Sequence, residues 1–144
     1  MADQSDWKLC AEAIKDLIVA LSIDEFTAET VVVRKQSWNR SGLTTGGVIL
    51  SPGKPSRIAA QNQSDEVIQP IDVVALTPSN QDYTANLETL LGWRESLRDG
   101  LHGKNLGASL AYDTDVIPGA VIIPAAFGGQ YDATKLTVNC RMRV

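Results

Sequence analysis

The ten residues from 135 to 144 alternate between apolar and polar side chains without a break. The apolar members are Leu136, Val138, Cys140, Met142 and Val144, and the polar members between them are Thr137, Asn139, Arg141 and Arg143. A period of two residues is that of a β-strand with one face buried and one face in water. This strand therefore contributes one face to a hydrophobic core, and the fold must contain a sheet that receives it.

Two segments carry the spacing of amphipathic helices. The first has an apolar stripe that begins at Cys10 and ends at Leu21, and Ser5 or Asp6 is placed to cap it. The second has an apolar stripe of leucines and one tyrosine, and Gly103 follows it as a stop signal. Its members are Tyr83, Leu87, Leu90, Leu91, Leu97 and Leu101. We expect both helices to cover the same face of the sheet.

Five segments predict β-strands, because they are rich in β-branched or apolar residues and are bounded by turn residues. They are residues 30–34, 47–50, 69–77, 116–124 and the final strand. The predicted order is α-β-β-β-α-β-β, and strands that come in runs favour an α+β fold. We expect one domain over residues 1–144, with a mixed or mostly antiparallel sheet of about five strands and two helices on one face.

Residues 36–69 form a long excursion that is rich in Gly, Ser, Asn, Gln and Pro. Loops of this length inside a compact domain are uncommon and are usually functional or disordered. The interpretation is an extended loop or hairpin arm that projects from the body, with Trp38 at one base and residues 48–50 on the returning arm. A two-stranded arm is marginal alone in water. We therefore expect the arm to pack against a partner molecule.

Charge is distributed unevenly along the chain, although the net charge is only −4. Residues 1–29 contain seven acidic residues and two lysines, whereas residues 31–64 contain five basic residues and no acidic residue. These segments either form two separate solvated surfaces or meet between copies of the protein, since opposite potentials steer association. The second interpretation predicts that Arg40→Glu or Arg57→Glu impairs assembly without unfolding the monomer.

The sequence offers little for catalysis or metal binding. The single histidine, His102, is predicted at the C-terminal end of a helix, where the helix dipole favours the protonated form rather than a general base. Three acidic pairs are the remaining candidates, and none has the glycine and closing glutamate of an EF-hand. They are Asp24-Glu25, Asp65-Glu66 and Asp113-x-Asp115. We expect a protein that is not an enzyme and has no metal and no cofactor.

Two cysteines, Cys10 and Cys140, lie near opposite ends of the chain, each on the apolar face of its predicted element. A free cysteine commonly packs as a small hydrophobic residue, and we expect two packed thiols. A disulfide or a metal site is the alternative. With no CxxC pair and one histidine, a tetrahedral zinc site has too few conventional ligands.

Aromatic residues mark two candidate contact positions. Trp38 is interleaved with Arg34, Lys35 and Arg40, a pattern also found on single-strand nucleic-acid platforms. Trp93 falls outside the leucine stripe of the second helix, so it is either partly exposed or covered by another element. Because tryptophan is enriched in interaction hot spots, an exposed Trp93 is a candidate interface anchor.

The architecture resembles that of tailed-bacteriophage tail-terminator (tail-completion) proteins and their neck-protein relatives. The similar parts are the short helix over residues 11–21, the strand 30–34, the long excursion, the apolar strand 71–77, the helix with Trp93-Arg94-Glu95-Ser96-Leu97-Arg98 and the closing strand 136–144. That family has no catalytic residues, and its members form rings, typically hexameric. The rings cap the tail tube, stop its polymerisation and dock to the head-side connector, while DNA passes through the lumen.

The resemblance implies a structural virion protein of the phage neck that assembles in the host cytoplasm. Its partners would be other copies of itself in a ring, as a hexamer if it follows that family, the tail tube protein and a head-side connector, with no sequence-specific contact to DNA. The implied subunit or tube contacts are Arg34, Lys35, Trp38, Arg40, Lys54, Arg57 and Trp93, with Asp24, Glu25 and Glu29 as acidic partners. The alternative is a nucleic-acid-associated or regulatory domain that uses the basic segment 34–57. No apolar run approaches the ~20 residues of a membrane helix, so no membrane contact is expected.

Overall fold

The computed structural model describes residues 6–23, 26–34, 47–52, 56–58, 66–78, 83–104, 106, 113–119, 123–125 and 131–143. These residues form two helices and seven strands in one sheet. The elements are α1 (Asp6–Ala20), β1 (Val31–Val33), β2 (Gly47–Pro52), β3 (Ser56–Ile58), β4 (Glu66–Pro78), α2 (Tyr83–Leu101), β5 (Asp113–Pro118), β6 (Ile123–Ala125) and β7 (Tyr131–Arg143). The predicted α+β class and element order are confirmed; β3 is an additional strand of three residues, and the predicted strand 116–124 corresponds to two strands, β5 and β6.

The sheet is mixed, and its main path has the order β1-β2-β4-β7-β5. β1 pairs with β2 in parallel, and the other pairings are antiparallel. β4 and β7 each span 13 residues and pair along their whole length, from Glu66 opposite Arg143 to Pro78 opposite Tyr131. The closing strand found in the sequence therefore lies in the interior of the sheet, between β4 and β5.

Part of the segment 36–69 lies in the core rather than in a projecting arm. β2 packs into the sheet, where Val48, Ile49 and Leu50 are fully buried, so the expectation that these residues lie on a projecting returning arm is wrong. The reason is that an uninterrupted run of apolar residues, two of them β-branched, is more stable inside a sheet than on an exposed arm. β3 and the first residues of β4 extend the same antiparallel pairing. Residues 35–46, 53–55 and 59–65 lie outside the described residues.

Both helices cover the same face of the sheet, as the sequence predicted. The main core cluster joins Ile14 and Ile18 of α1 with Leu90 and Leu97 of α2 above the sheet. The side chains of the sheet that meet them alternate with the strand period, for example Ile71, Val73 and Ala75 in β4. Helix-facing positions are thus fixed by strand register.

The opposite face of the sheet carries a second, smaller apolar cluster at the end where β2, β4 and β7 meet. Its buried members are Ile49, Val74, Leu76, Tyr131 and Ala133. Their strand neighbours Leu50, Val73 and Ala75 belong to the helix-covered cluster, so the two sets lie on opposite faces. This end of the sheet is therefore apolar on both faces.

Two glycines occupy positions that other residues would strain. Gly103 ends α2 with a φ of 68°, the left-handed conformation expected after a helix C-terminus, which confirms the predicted stop signal. Gly47 begins β2 with a φ of 150°, and a Cβ at this position would collide with the carbonyl oxygen of Thr30. A glycine at position 47 therefore allows β1 and β2 to approach each other.

Candidate interaction groove

A groove of about 490 Å³ runs between one flank of α2 and the end of β5. Its floor is apolar, because Val116 and Leu136 lie there almost fully buried, and its rim carries charged side chains and the exposed Leu91. An apolar centre inside a polar rim is the usual anatomy of a protein–protein interface. The lining residues are Leu91, Arg94, Glu95, Arg98, Val116, Pro118 and Leu136. We name this surface the α2–β5 groove.

The position of the α2–β5 groove follows from which stripe of α2 is buried. The buried stripe contains Asn86, Leu90, Trp93, Leu97 and Leu101, at intervals of three and four residues. The polar member, Asn86, donates from Nδ2 to the Asp132 carboxylate at 2.9 Å and to the carbonyl of Pro78 at 3.0 Å. The flank of α2 beside this buried stripe forms one wall of the α2–β5 groove.

Arg94 fixes α2 to the sheet beside the α2–β5 groove. Its guanidinium donates to the Thr134 hydroxyl at 3.0 Å, to the carbonyl of Lys135 at 2.8 Å and to the carbonyl of Gly119 at 2.9 Å. Burial, and secondarily the nearby Arg98, lowers the pKa of Arg94 from its ordinary value. A guanidinium retains its charge in proteins even so, and its fork of donors suits several carbonyl acceptors at once. Arg94 is a structural part of the groove wall.

A second concavity of about 310 Å³ continues the groove toward the C-terminal end of α2. It is lined by Arg98, Asp99, His102 and Val116, and it shares Arg98 and Val116 with the larger one. Arg98 contacts the Asp99 carboxylate at 3.3 Å, but both side chains are more than half exposed. Exposed ion pairs between neighbouring residues contribute little to stability. The Arg98 guanidinium thus remains accessible to a docking partner.

The outer edge of β5 is covered by the end of α2. The Gly103 amide donates to the carbonyl of Thr114 at 2.7 Å, and the Val116 amide donates to Nδ1 of His102 at 3.1 Å. Pro118, the last residue of β5, has no N–H to offer. Exposed strand edges invite further strands, and covering them is a common protection. The Thr114 carbonyl and the Val116 amide are therefore not available to pair with a further strand.

The acidic residues of β5 lie away from His102. Asp115 accepts hydrogen bonds from the Arg141 guanidinium at 2.9 Å, on the sheet face opposite the one on which Val116 and His102 meet. On that same face, Asp72 accepts from the Thr137 hydroxyl at 3.1 Å and lies 3.8 Å from the Lys135 ammonium. The structure therefore does not bring Asp115 and His102, two of the candidates for catalysis or metal binding, into one site.

The described part of the chain holds no group of three or more His, Cys, Asp or Glu side chains placed to bind a metal ion. Within the same residues, neither helix is long and apolar enough to cross a membrane. His102 instead accepts a backbone hydrogen bond, which gives it a structural role.

Trp93 is not an exposed interface anchor. It is 8% exposed and packs against Phe26 with ring centroids 4.8 Å apart, so the expectation of an exposed anchor at this position is wrong. The physical reason is the phase of α2: the buried stripe runs through Trp93, and Leu91, which the sequence placed in that stripe, is 42% exposed. The sequence left two alternatives for Trp93, partial exposure or coverage by another part of the chain, and the structure shows the second.

The predicted charged contacts are mostly outside the described residues. Arg34 donates to the carbonyl of Val33 at 3.1 Å, and Glu29 is exposed. The backbone of Arg57 lies in β3, and its side chain is outside the description. The remaining predicted contact residues also lie outside it, namely Asp24, Glu25, Lys35, Trp38, Arg40 and Lys54.

Sequence reasoning missed the α2–β5 groove. The signal that points to it is a choice of helical phase, because Leu90, Trp93, Leu97 and Leu101 keep intervals of three and four residues without Leu91. If Trp93 is assigned to the core, helical geometry places Leu91 and Arg98 on an exposed flank of α2. The identity of the strand beside that flank depends on sheet order, which the sequence does not reveal.

No protein-family model matches the chain, and no curated protein matches it significantly.

Proposed function

We propose that this chain is a structural virion protein of a tailed-phage neck, which forms a ring that caps the tail tube and joins it to the head-side connector. The proposal starts from the resemblance in element order and from the α+β fold with both helices on one face. In such a ring each subunit contacts the next through two different surfaces, that is, through a heterologous interface. DNA passes through the lumen without sequence-specific contact.

The α2–β5 groove is the observation that carries the proposal. Its buried apolar floor, charged rim and exposed Leu91 give a surface suited to another protein, on a side of the sheet where strand addition is blocked. A side-chain contact at this position leaves each subunit's sheet complete. Such a contact is compatible with a ring of separate domains and does not require a fibre of paired strands.

The outer ridge of α1 is the complementary surface in this proposal. Leu9 is 38% exposed, and Asp16, two helical turns further on, is exposed as well. In the groove, Leu91 and Arg98 have the same separation of two turns, about 10.5 Å. A neighbouring α1 laid along the groove pairs apolar with apolar at one end and carboxylate with guanidinium at the other. The pairing of Asp16 with Arg98 fixes how the two helices align along their length, since opposite charges across an interface disfavour misaligned contacts.

The test is the oligomeric state of the purified chain, measured by sedimentation velocity over a range of concentrations and by negative-stain electron microscopy. We expect wild-type protein to form rings, alone or on isolated tail tubes. Arg98→Glu should reduce ring formation, because it places a carboxylate opposite Asp16. Glu88→Lys, an equally large charge change at an exposed position of α2 outside the groove, is the matched control and should assemble normally.

Two outcomes would overturn the proposal or its interface. A wild-type chain that stays monomeric at every concentration and does not bind tail tubes removes the ring function. If that monomer binds oligonucleotides with a steep salt dependence, the nucleic-acid alternative replaces it. Rings that form equally well with Arg98→Glu and with Glu88→Lys leave the ring function standing and remove the groove as its interface.

A further inference from the structure

The main path of the sheet ends at β5 on one side and at β1 on the other, and the two ends differ. The edge of β5 is covered by the end of α2. Among the described residues, β1 has β2 as its only partner strand. β1 consists of three valines and carries no charged side chain. An open apolar strand edge is a template for pairing with another strand.

The hydrogen bonds of β1 show which of its backbone groups point away from β2. The Thr30 carbonyl accepts a hydrogen bond from β2 at 2.9 Å, and the Arg34 amide donates one to β2 at 2.8 Å. In a parallel ladder, every second residue directs both of its backbone groups to the same neighbour. Val32 therefore also faces β2, and the backbone groups of Val31 and Val33 point outward.

Two of the four outward groups are satisfied within the subunit. The Val31 amide donates to the carbonyl of Thr27 at 3.0 Å, and the Val33 carbonyl accepts from the Arg34 guanidinium at 3.1 Å. Within the part of the chain that the structure describes, the Val31 carbonyl and the Val33 amide have no hydrogen-bond partner. The edge thus offers one acceptor and one donor, two residues apart.

We infer that a second copy of this chain docks at this edge, with the two β1 strands antiparallel around a two-fold axis at Val32. In this register Val31 of each copy lies opposite Val33 of the other. Each Val33 amide then donates to the Val31 carbonyl across the axis. The acceptor and the donor left open in one subunit are therefore complementary to those of the other, as a two-fold interface requires.

The side chain of Val32 also suits a position on the axis. It is partly exposed in the subunit and packs against the apolar cluster on the sheet face opposite the helices. In an antiparallel pair, the residues between the hydrogen-bonded positions come closest, with Cα atoms about 4.5 Å apart. Val32 of each copy would therefore contact Val32 of the other, and β-branched cross-strand pairs stabilise a sheet.

Charges at the two ends of β1 favour the antiparallel arrangement of two copies. Glu29 is exposed shortly before β1, and Arg34 directly follows it. Antiparallel pairing brings the start of one β1 to the end of the other, so that Glu29 of each copy lies close to Arg34 of its neighbour. Parallel pairing of the same strands would bring like charges together, which is unfavourable.

This contact goes beyond the proposed ring and does not depend on it. β1 and β5 lie at opposite ends of the sheet path, and the contact uses none of the residues assigned to the ring interface. A two-fold contact joins two copies and leaves no open end, so it produces a dimer.

The experiment uses the full chain with Val32→Cys, purified in reductant and then oxidised with diamide at several protein concentrations. Glu88→Cys, at an exposed position of α2, reports cross-linking by random collision. Wild-type protein is the second control, since both native cysteines are buried. We expect Val32→Cys to form a disulfide-linked dimer at least about ten times faster than Glu88→Cys, because docking holds the two thiols within bonding reach at a high effective concentration.

Substitution of Val33 makes the result specific to the strand pairing. Val33→Pro removes the outward amide, and proline is tolerated on an edge strand where the N–H faces outward. Added to Val32→Cys, it should abolish the rapid cross-linking. Val33→Thr keeps both the amide and a β-branched side chain, and in the same background it should leave cross-linking intact.

Hydrogen exchange tests the wild-type chain without a substitution. The Val33 amide should exchange more slowly at high protein concentration than at low concentration. The Val31 amide, already bonded to Thr27, is the internal reference and should change little.

Two results would overturn the inference: Val32→Cys and Glu88→Cys that cross-link at the same rate, or a Val33 amide that exchanges equally fast at all concentrations. Rings without a cross-link between the two copies of residue 32 would remove the β1 contact and leave the ring function standing. Cross-linked dimers without rings would support the β1 contact and remove the ring.

Discussion

Trp93 is the residue whose role is most sharply defined by its neighbours. Trp93 belongs to α2, and its indole packs against Phe26 in the segment that precedes β1. The planes of the two rings are tilted by 52°. Tilted aromatic pairs add to the gain from burial itself. The interaction joins a loop residue to the helix layer, so Trp93 stabilises more than its own helix.

Replacement of Trp93 by alanine should therefore be severely destabilising. We expect the free energy of unfolding to fall by about 3–5 kcal/mol, as for other large aromatic side chains removed from a core. Leu91→Ala, on the exposed flank of the same helix, should cost about 1 kcal/mol or less. Urea denaturation of both variants gives the comparison, and a similar loss in the two would contradict the assignment of the buried stripe.

Cys140 predicts an alkaline dependence of stability. Its pKa is raised in the folded protein, so above the ordinary value of 9.0 the unfolded chain loses the thiol proton while the native protein keeps it. The native state then binds more protons than the unfolded state, and stability falls as pH rises, by up to about 1.4 kcal/mol per pH unit.

Urea denaturation of reduced protein between pH 8 and 10 tests this sign, with Cys140→Ala as the reference for all other titrating groups. Wild-type protein should lose stability more steeply than the variant above pH 9. Parallel pH profiles would show that the thiol is not protected in the native state.

At the scale of elements, the contact between the end of α2 and the edge of β5 provides hydrogen-bond partners for backbone groups of both. His102 holds the Val116 amide, and Thr114 donates from its hydroxyl to the carbonyl of Leu101 at 2.6 Å. The amide of Lys104 donates in turn to the same hydroxyl at 2.8 Å. A helix terminus and a strand edge thus satisfy each other's backbone groups.

His102→Ala should expose the Val116 amide while leaving the rest of the sheet intact. We expect faster hydrogen exchange at this amide and a loss of about 1 kcal/mol in stability. His102→Asn is the matched control, because its side-chain oxygen can occupy the acceptor position of Nδ1. Exchange at Val116 that is equally fast in both variants would mean that the imidazole nitrogen is not the acceptor.

The alternation of β7 gives a second prediction at this scale. Val138 is fully buried between Ile71 and Val116, whereas the next residue, Asn139, lies on the other face and is partly exposed. Val138→Asp should abolish folding, because an unpaired buried carboxylate costs a large part of a domain's total stability of about 5–15 kcal/mol. Asn139→Asp places the same charge one residue away and should remain folded. Circular dichroism and gel filtration of the two proteins separate these outcomes.

Elements were more predictable from the sequence than their arrangement. The alternation in β7 and the stripe of α1 are local patterns, and local patterns determine the type of an element. The order β1-β2-β4-β7-β5 depends on pairings between distant residues, for which a single sequence carries no direct signal. The α2–β5 groove was missed for the same reason, since it needs β5 and β7 beside α2. Trp93 shows a different, local error, because the predicted stripe of α2 contained Leu91 where the structure buries Trp93.

At the scale of the whole molecule, a head-to-tail interface predicts complementation between two defective variants. Arg98→Glu and Asp16→Arg each create a like-charge contact when a subunit meets its own kind. In a mixture, the groove of the Arg98→Glu variant accepts the α1 ridge of the Asp16→Arg variant, because the two exchanged charges attract each other. At the next contact the unchanged Arg98 meets the unchanged Asp16, as in the wild-type protein. Alternating rings with an even number of subunits then close without any repulsive contact.

Native mass spectrometry of the mixed and separate variants measures this directly. We expect rings in the mixture that contain equal numbers of the two chains, and a loss of rings in each variant alone. Mixtures that assemble no better than the separate variants would show that residues 16 and 98 do not meet across the interface.

The central position of β7 also has a consequence for synthesis on the ribosome. β4 has β2 beside it as soon as both are made, but β5 has no strand to pair with until residues 131–143 emerge. Until then the helix-facing side chains of β4 lie at an open strand edge in the nascent protein. Cotranslational folding should therefore halt at a half-built sheet, and a ribosome that stops before β7 should release a polypeptide that proteases degrade.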